Sequence, residues 1–309
     1  MINTHRANDL KPLLELQPSL IVPPWLSESS LTLLYARRGI GKTFLGLQLA
    51  ISLATKTDFL KWTPAHQPRV LYIDGEMGAR ALAKRINGIA PTLLGSDAGY
   101  RRLEFITSDD FPNGQVPNIS APGAQAEYDM TIKDIEAKVV IIDNLLTCSA
   151  PLERRDDDTQ QWLRIQPWLV NLRSRNIAVI VIHHAGKSGD QLGTSIRENV
   201  MDAVIQLKPT RLKSQFFGTC IEWHFTKTRD FHGRDTDPLF IEMVSQDDGM
   251  KFYFAPLEEA QKAAIIFQWH KLKSYPAVAG TLDLDLWLVR SVIEEYKATP
   301  TPFDEQEMF

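Results

Sequence analysis

Apolar residues along this chain fall into two rhythms. Short unbroken runs occupy residues 31–35 (LTLLY), 69–74 (RVLYID), 103–107 (LEFIT), 138–144 (KVVIIDN) and 177–182 (IAVIVI). Such runs predict strands covered on both faces, the form taken by a parallel sheet. Between them, apolar positions recur at helical spacing: the Leu/Ala-rich stretch up to residue 54, then residues 78–89, 124–137 and 159–175. In the last of these, Trp162, Ile165, Leu169 and Leu172 share one face and are expected in the core, while Pro167 predicts a kink or break.

The second half reads differently. Strands are expected at residues 201–207 and 215–226, then a hairpin of 238–244 with 250–254 through Gln246-Asp247-Asp248-Gly249, where Asp-Gly signals a tight turn. Helices are expected at residues 257–272 and 283–296. The pattern therefore predicts an α/β protein whose central sheet is mostly parallel, antiparallel in its C-terminal part, and flanked by helices. The expected division is an N-terminal arm (1–24), a core (25–256) and a C-terminal helical extension and tail (257–309). Residues 108–123 read as an irregular loop. Residues 147–158 read as a charged, exposed stretch, with Asp156, Asp157 and Asp158 as a helix-start cluster rather than a metal site.

Length and composition narrow the class. With 309 residues, 44% hydrophobic and 23% charged, the chain has enough material for one large core. A net charge of −4 argues against a general polyanion binder, so contact with nucleic acid needs a local basic patch. Cys148 and Cys220 are too few and too far apart for a disulfide framework or metal cluster. No apolar run approaches a membrane span and the N-terminus lacks a signal-peptide core, so a soluble, cytoplasmic protein is expected, with no membrane partner.

One strand-to-helix junction carries recognisable chemistry. After residues 31–35 comes a Gly-containing turn ending in Gly41-Lys42-Thr43, then the Leu/Ala-rich helix. In that context the backbone N–H groups of Arg38, Gly39, Ile40, Gly41, Lys42 and Thr43 are expected to curl around a β-phosphate, with Phe44 completing the set. Lys42 is expected to reach the β- and γ-phosphates, and the Thr43 hydroxyl to ligate Mg²⁺. The triplet is common by itself; the flanking strand and helix give it meaning. The full pattern asks for Gly at position 36, where this chain has Ala36. Alanine does not accept the left-handed region, so the loop's first position must be undemanding for the site to work.

The strand ends supply further groups. Glu76 follows the 69–74 strand, where the ligand edge of a parallel sheet lies, and is expected to polarise an attacking water. Asp74, one step earlier and within the strand, competes for that role. The plain alternative is a carboxylate at a helix start, worth tenths of a kcal/mol to about 1 kcal/mol. Asp143 ends the 138–144 strand and is expected to hold Mg²⁺ through water, opposite Thr43. His183 and His184 close the 177–182 run. Neighbouring strand residues face opposite sides and no third ligand stands near, which argues against zinc. One of the pair is expected to sense a γ-phosphate and relay it to the Gly/Ser-rich loop at 185–199. Lys227 and Arg229 share one side of a strand end, either as solvated cations or as cations offered to a neighbour's triphosphate. Residues 185–234 hold eight Lys/Arg against five Asp/Glu, a small local excess.

The order of these segments, SLTLLYARRGIGKT, VLYIDGEM, VVIIDN, VIVIHHAGKSG followed by GTS, and FTKTRD, resembles that of RecA-fold ATPases. More narrowly it is similar to plasmid RepA-type hexameric helicases and AAA_25-like ATPases of mobile elements, over about residues 25–254. The resemblance implies ATP as the nucleotide, Glu76 as the water-activating carboxylate, Asp143 as the metal-side acid and His184 as the γ-phosphate sensor. It also implies that residues 186–197 line a ring's channel and that Lys227 and Arg229 reach an adjacent subunit's ATP. Ala36 is the main departure. The expectation is an ATP-hydrolysing homo-oligomer, a hexamer, acting on single-stranded DNA in plasmid- or phage-type replication, with any priming partner a separate chain. The alternative is an ATP-dependent switch or scaffold that recruits partners without moving on DNA. A small-molecule P-loop kinase is disfavoured, since no Arg-rich lid segment is visible.

Overall fold

The computed structural model describes residues 6–11, 19–90, 101–149, 158–185, 195–212, 218–247 and 249–298. Its strands are β1 (Leu20–Val22), β2 (Leu26–Ser27), β3 (Leu31–Ala36), β4 (Val70–Asp74), β5 (Leu103–Thr107), β6 (Val139–Asp143), β7 (Ala178–His184), β8 (Ala203–Pro209), β9 (Thr219–Thr228), β10 (Leu239–Gln246) and β11 (Gly249–Pro256). Its helices are α1 (Ala7–Leu10), α2 (Lys42–Thr55), α3 (Ala79–Ile89), α4 (Pro122–Asp134), α5 (Leu145–Cys148), α6 (Asp158–Ser174), α7 (Leu257–Leu272), α8 (Tyr275–Leu282) and α9 (Leu286–Ala298).

Nine strands form one sheet in the order β11-β10-β9-β8-β3-β7-β6-β4-β5. The six from β8 to β5 run parallel; β9, β10 and β11 add on antiparallel. The run-like strands explain this arrangement, because β3, β4, β6 and β7 are buried at every position. Alternate residues still choose opposite faces. Leu34 and Ala36 of β3 join the core under α2, whereas Leu31, Leu33 and Tyr35 join the core under α6. Neither face could meet water without exposing several large aliphatic side chains, each worth roughly 1.5–3 kcal/mol of burial.

The face under α2 also holds Ile21, Val22 and Trp25 from the N-terminal hairpin. Trp223 of β9 is surrounded there by aromatic rings, with centroids at 6.0 Å to Trp25, 5.9 Å to Phe59, 5.5 Å to Trp62 and 5.8 Å to Phe225. Tilted and edge-to-face contacts of this kind suit the ring quadrupoles. A third apolar cluster is built by α7, α8 and α9 with Leu212 and Phe240.

Some expectations need correction. Pro167 lies inside α6 without breaking it, since α6 runs from Asp158 to Ser174 as one helix. The C-terminal segment has two helices beyond α7 where one was expected: Pro276 falls in the first turn of α8, where its missing N–H costs nothing, and starts a helix rather than preventing one. Residues 145–148 form α5, capped by the Asn144 side chain; within the stretch read as exposed Thr147 is exposed, Cys148 is buried, and residues 150–157 lie outside the described residues. Most of the expected channel loop, residues 186–194, lies outside the described residues. Among the described residues no helix is long and apolar enough to cross a membrane.

The aromatic cluster yields a stability prediction. Trp223→Ala should lower the free energy of unfolding by about 3–5 kcal/mol, read from urea titration. An exposed control, Trp287→Ala on α9, should change it by less than about 1 kcal/mol.

Candidate functional site

Parallel strands deliver their C-terminal ends to one edge, and β3, β4, β6 and β7 all do so here. A cleft of about 460 Å³ opens at that edge. Its walls include Lys42, Thr43, Glu76, Asp143 and His184, drawn from four separate segments, together with Arg38 and Arg85.

The turn between β3 and α2 is shaped by two glycines rather than three. Gly39 has φ +79° and Gly41 has φ +102°, both in the region that favours glycine. A methyl group on Gly41 would also collide with Met243. Ala36, by contrast, is the last residue of β3, paired in register with His184 and Leu207. An extended strand position accepts a Cβ, which removes the objection raised by its departure from the pattern. Gly41 caps α2 and its carbonyl accepts Leu45 N, so the helix's first free N–H groups are those of Lys42, Thr43 and Phe44. Ile40 and Phe44 pack against the core, and Phe44 and Arg38 line the cleft.

Lys42 is buried and bends back to donate from Nζ to the Ala36 carbonyl at 3.1 Å and the Arg37 carbonyl at 2.9 Å. Burial holds its pKa down to about 8, with Asp143 and Glu76 pulling the other way. Asp143 is buried as well. Its Oδ2 accepts the Tyr72 hydroxyl at 2.7 Å, and the Thr43 hydroxyl also bonds to the carboxylate. Burial pushes the Asp143 pKa up, and those two hydroxyls oppose the shift. Burial likewise raises the Tyr72 phenol, followed by the Asp143 charge.

Glu76 and Asp74 have separate tasks. Asp74 Oδ1 accepts the backbone N–H groups of Glu76 and Met77 at 2.9 and 3.0 Å, so it shapes the turn after β4. Glu76 lines the cleft, and its Oε2 accepts from Asn144 Nδ2 at 2.7 Å. Asn144 Oδ1 in turn accepts from Leu146 N and Thr147 N. One amide thus ties the start of α5 to the carboxylate. Arg85 of α3 covers the Phe44 ring at 4.9 Å from its centroid and adds a cation to the cleft wall.

The two histidines diverge as adjacent strand residues must. His184 lines the cleft, and burial followed by the Lys42 charge lowers its pKa. It therefore serves as a neutral imidazole near pH 7. His183 faces the other side, where its Nε2 lies 3.1 Å from Arg197 Nη1, and Arg197 reaches Asp158 at 3.7 Å.

Lys227 and Arg229 are not in this cleft. Lys227 donates to the Glu198 carbonyl, and Arg229 donates to Asn199 O at 2.6 Å and to Asp202 at 3.2 Å. Asp202 also accepts Leu31 N at 2.8 Å, which places both cations beside the beginning of β3. The length of β3, roughly 17 Å at 3.3 Å per residue, separates them from their own phosphate loop.

Tyr72, Asn144 and Arg85 were not singled out from the sequence. Tyr72 is the one hydroxyl in an otherwise aliphatic strand, and buried tyrosines need a partner. Asn144 followed by Thr147 has the spacing of a reciprocal helix cap, which the structure contains. Arg85 carried no local signal.

The family model AAA_25, described as an AAA domain, matches residues 3–190. Curated proteins give no match. Among solved structures, the crystal structure of the KaiC-like protein PH0186 from the hyperthermophilic archaeon Pyrococcus horikoshii OT3 superposes with a TM-score of 0.52 at 15% identity, covering 77% of this chain and 99% of that one. That likeness is one of fold.

A pH prediction follows from Asp74, whose pKa burial pushes up to about 6 from 3.8. The folded chain then binds more protons than the unfolded one between those values, so stability contributed by this group falls as pH rises from about 4 to about 6. The loss should be at most roughly 3 kcal/mol. Unfolding titrations of Asp74→Asn against wild type should show the difference between them changing across that window and flat above it.

Proposed function

The chain belongs to the AAA_25 family of AAA domains, and from that premise we propose that it is an ATP-hydrolysing RecA-fold oligomer, a ring motor acting on single-stranded DNA. The observation that carries the hydrolytic part is the meeting of Lys42, Thr43, Glu76, Asp143 and His184 at one cleft. The donor set fits a nucleotide. Two left-handed glycines and a helix start present backbone N–H groups, and Lys42 can exchange two carbonyl acceptors for phosphate oxygens. Thr43 and Asp143 are an oxygen pair in mutual contact and would hold Mg²⁺ with water completing its shell. When bound, the ion neutralises charge developing on the transferred phosphoryl group.

The other roles belong to the chain. Glu76, held through Oε2 by Asn144, can take the proton of an attacking water with its remaining oxygen. Neutral His184 can donate to a γ-phosphate without adding a cation beside Lys42. Arg38 and Arg85 offset the negative charge a triphosphate brings. Lys227 and Arg229 lie too far from their own cleft to act there, so their contribution would be to a neighbouring subunit. A cation delivered across an interface can supply about 10³–10⁵ in rate. Plasmid- or phage-type replication, a hexameric ring and a separate priming partner complete this reading, and they rest on the motif resemblance.

A second reading is favoured by one observation. Lys227 and Arg229 are engaged within their own chain, on Glu198, Asn199 and Asp202. A switch or scaffold that binds ATP and assembles without strand movement could leave them there.

The deciding experiment is ATP turnover per subunit against protein concentration, with and without single-stranded DNA. The motor predicts turnover that rises with concentration, is stimulated by DNA and collapses in Arg229→Ala. Turnover indifferent to all three sinks the motor and leaves the switch. Separately, Glu76→Gln should reduce turnover by about 10²–10⁴ while nucleotide binding, followed with a fluorescent ATP analogue, stays near wild type.

A further inference from the structure

A second cleft, of about 530 Å³, lies at the opposite edge of the sheet, where the parallel strands begin. Five lysines and arginines line it: Arg69, Arg102, Lys133, Lys138 and Arg175. Only two carboxylates, Glu28 and Glu136, accompany them. In a chain with 38 acidic against 34 basic residues, that local inversion needs a reason.

The arrangement is fixed by the backbone. Arg102, Arg69 and Lys138 each immediately precede a strand: β5, β4 and β6. Val70 N donates to Arg102 O at 2.7 Å, Lys138 N to Arg69 O at 2.9 Å, and Ala178 N to Lys138 O at 2.9 Å. Arg175 stands just ahead of β7. Four cations therefore follow one another across four adjacent strands, a row of about 14 Å at the usual strand separation of about 4.8 Å. Lys133 joins from the last turn of α4.

Not all of this charge is spent internally. Arg69 contacts Glu136 at 3.7 Å, Arg175 pairs with Asp129 at 2.8 Å, and Arg102 donates to the Gln67 carbonyl at 2.9 Å. Lys133 and Lys138 are exposed, and among the described residues neither pairs with a carboxylate. The lining contains no Phe, Tyr or Trp, and its one aromatic ring, His66, is tied to Glu28 at 3.4 Å. A row of cations with no large aromatic side chain among them suits a chain of phosphates read by charge, independent of sequence.

We propose that this cleft binds the phosphate backbone of a nucleic acid strand, as a contact separate from the ATP cleft. The proposal adds a site to the DNA-acting reading above but does not use its hydrolytic chemistry. The row is longer than one phosphate, which favours a polymer over a small polyphosphate. Each lysine should neutralise one phosphate.

The test is fluorescence anisotropy of a labelled 30-nucleotide oligothymidylate across a salt series, comparing wild type with Lys133→Ala/Lys138→Ala. Thermal unfolding and ATP turnover without DNA serve as controls, and both should match wild type. Removing two phosphate contacts should weaken binding about tenfold at low salt and reduce the slope of log K against log salt by about 1.4. Equal affinity and slope in the two proteins overturn the proposal while leaving DNA binding elsewhere intact. Wild type that binds no oligonucleotide overturns both this proposal and the DNA-acting reading. Tripolyphosphate binding lost in the variant, with oligonucleotide binding unchanged, assigns the cleft to a small polyphosphate and overturns the strand assignment. So does loss of concentration-dependent turnover alone, which would assign the cleft to a neighbour's nucleotide.

Discussion

The carboxylate of Asp143 is held almost out of reach of water at the end of a central strand. A buried charge is tolerated only when it is surrounded by donors and opposite charge. Tyr72 from β4, Thr43 from α2 and the nearby Lys42 supply those here. Three elements are thereby committed to one geometry, and each brings further groups with it. β4 leads directly to Asp74 and Glu76, α2 fixes the glycine turn, and β6 continues into Asn144. The cleft is less a set of residues placed on a scaffold than the surroundings that this one acid requires.

Much of this was legible in the amino-acid order because the information is local. Unbroken β-branched runs marked the parallel strands, and the polar residue ending each run marked the ligand edge. The Gly41-Lys42-Thr43 turn announced itself between a strand and a helix. Ala36 was harder, since whether a position needs glycine depends on whether it belongs to the loop or to the strand, and the pattern does not say where β3 stops. The expected break at Pro167 failed for a related reason: the residue type marks a weak point, but packing of the helix on both sides keeps Asp158–Ser174 continuous. Tyr72, Asn144 and Arg85 act across distances in sequence that no periodicity records.

The end of β7 presents two faces with different company. His184 looks into the nucleotide cleft, whereas His183 meets Arg197, which leans on Asp158 at the start of α6. The same short turn, Ser195–Val200, also receives Lys227 and Arg229 on its carbonyls at Glu198 and Asn199. These contacts are direct, with no intervening residue between the turn and each of the groups it meets. The turn is thus the place where the cleft, the strand end and the two cations share a common support.

The sheet order has a consequence for how the molecule comes into being. Leu31–Ala36 precedes β4, β5 and β6 in sequence, yet its two neighbours in the sheet are Ala178–His184 and Ala203–Pro209. Its pairing partners lie more than 140 residues further along the chain, so its place in the sheet is closed by long-range contacts alone. β4, β5 and β6 can associate earlier, which gives a partial sheet with a vacant place beside it. The phosphate loop, although local in sequence, therefore rests on a strand whose neighbours are distant in sequence.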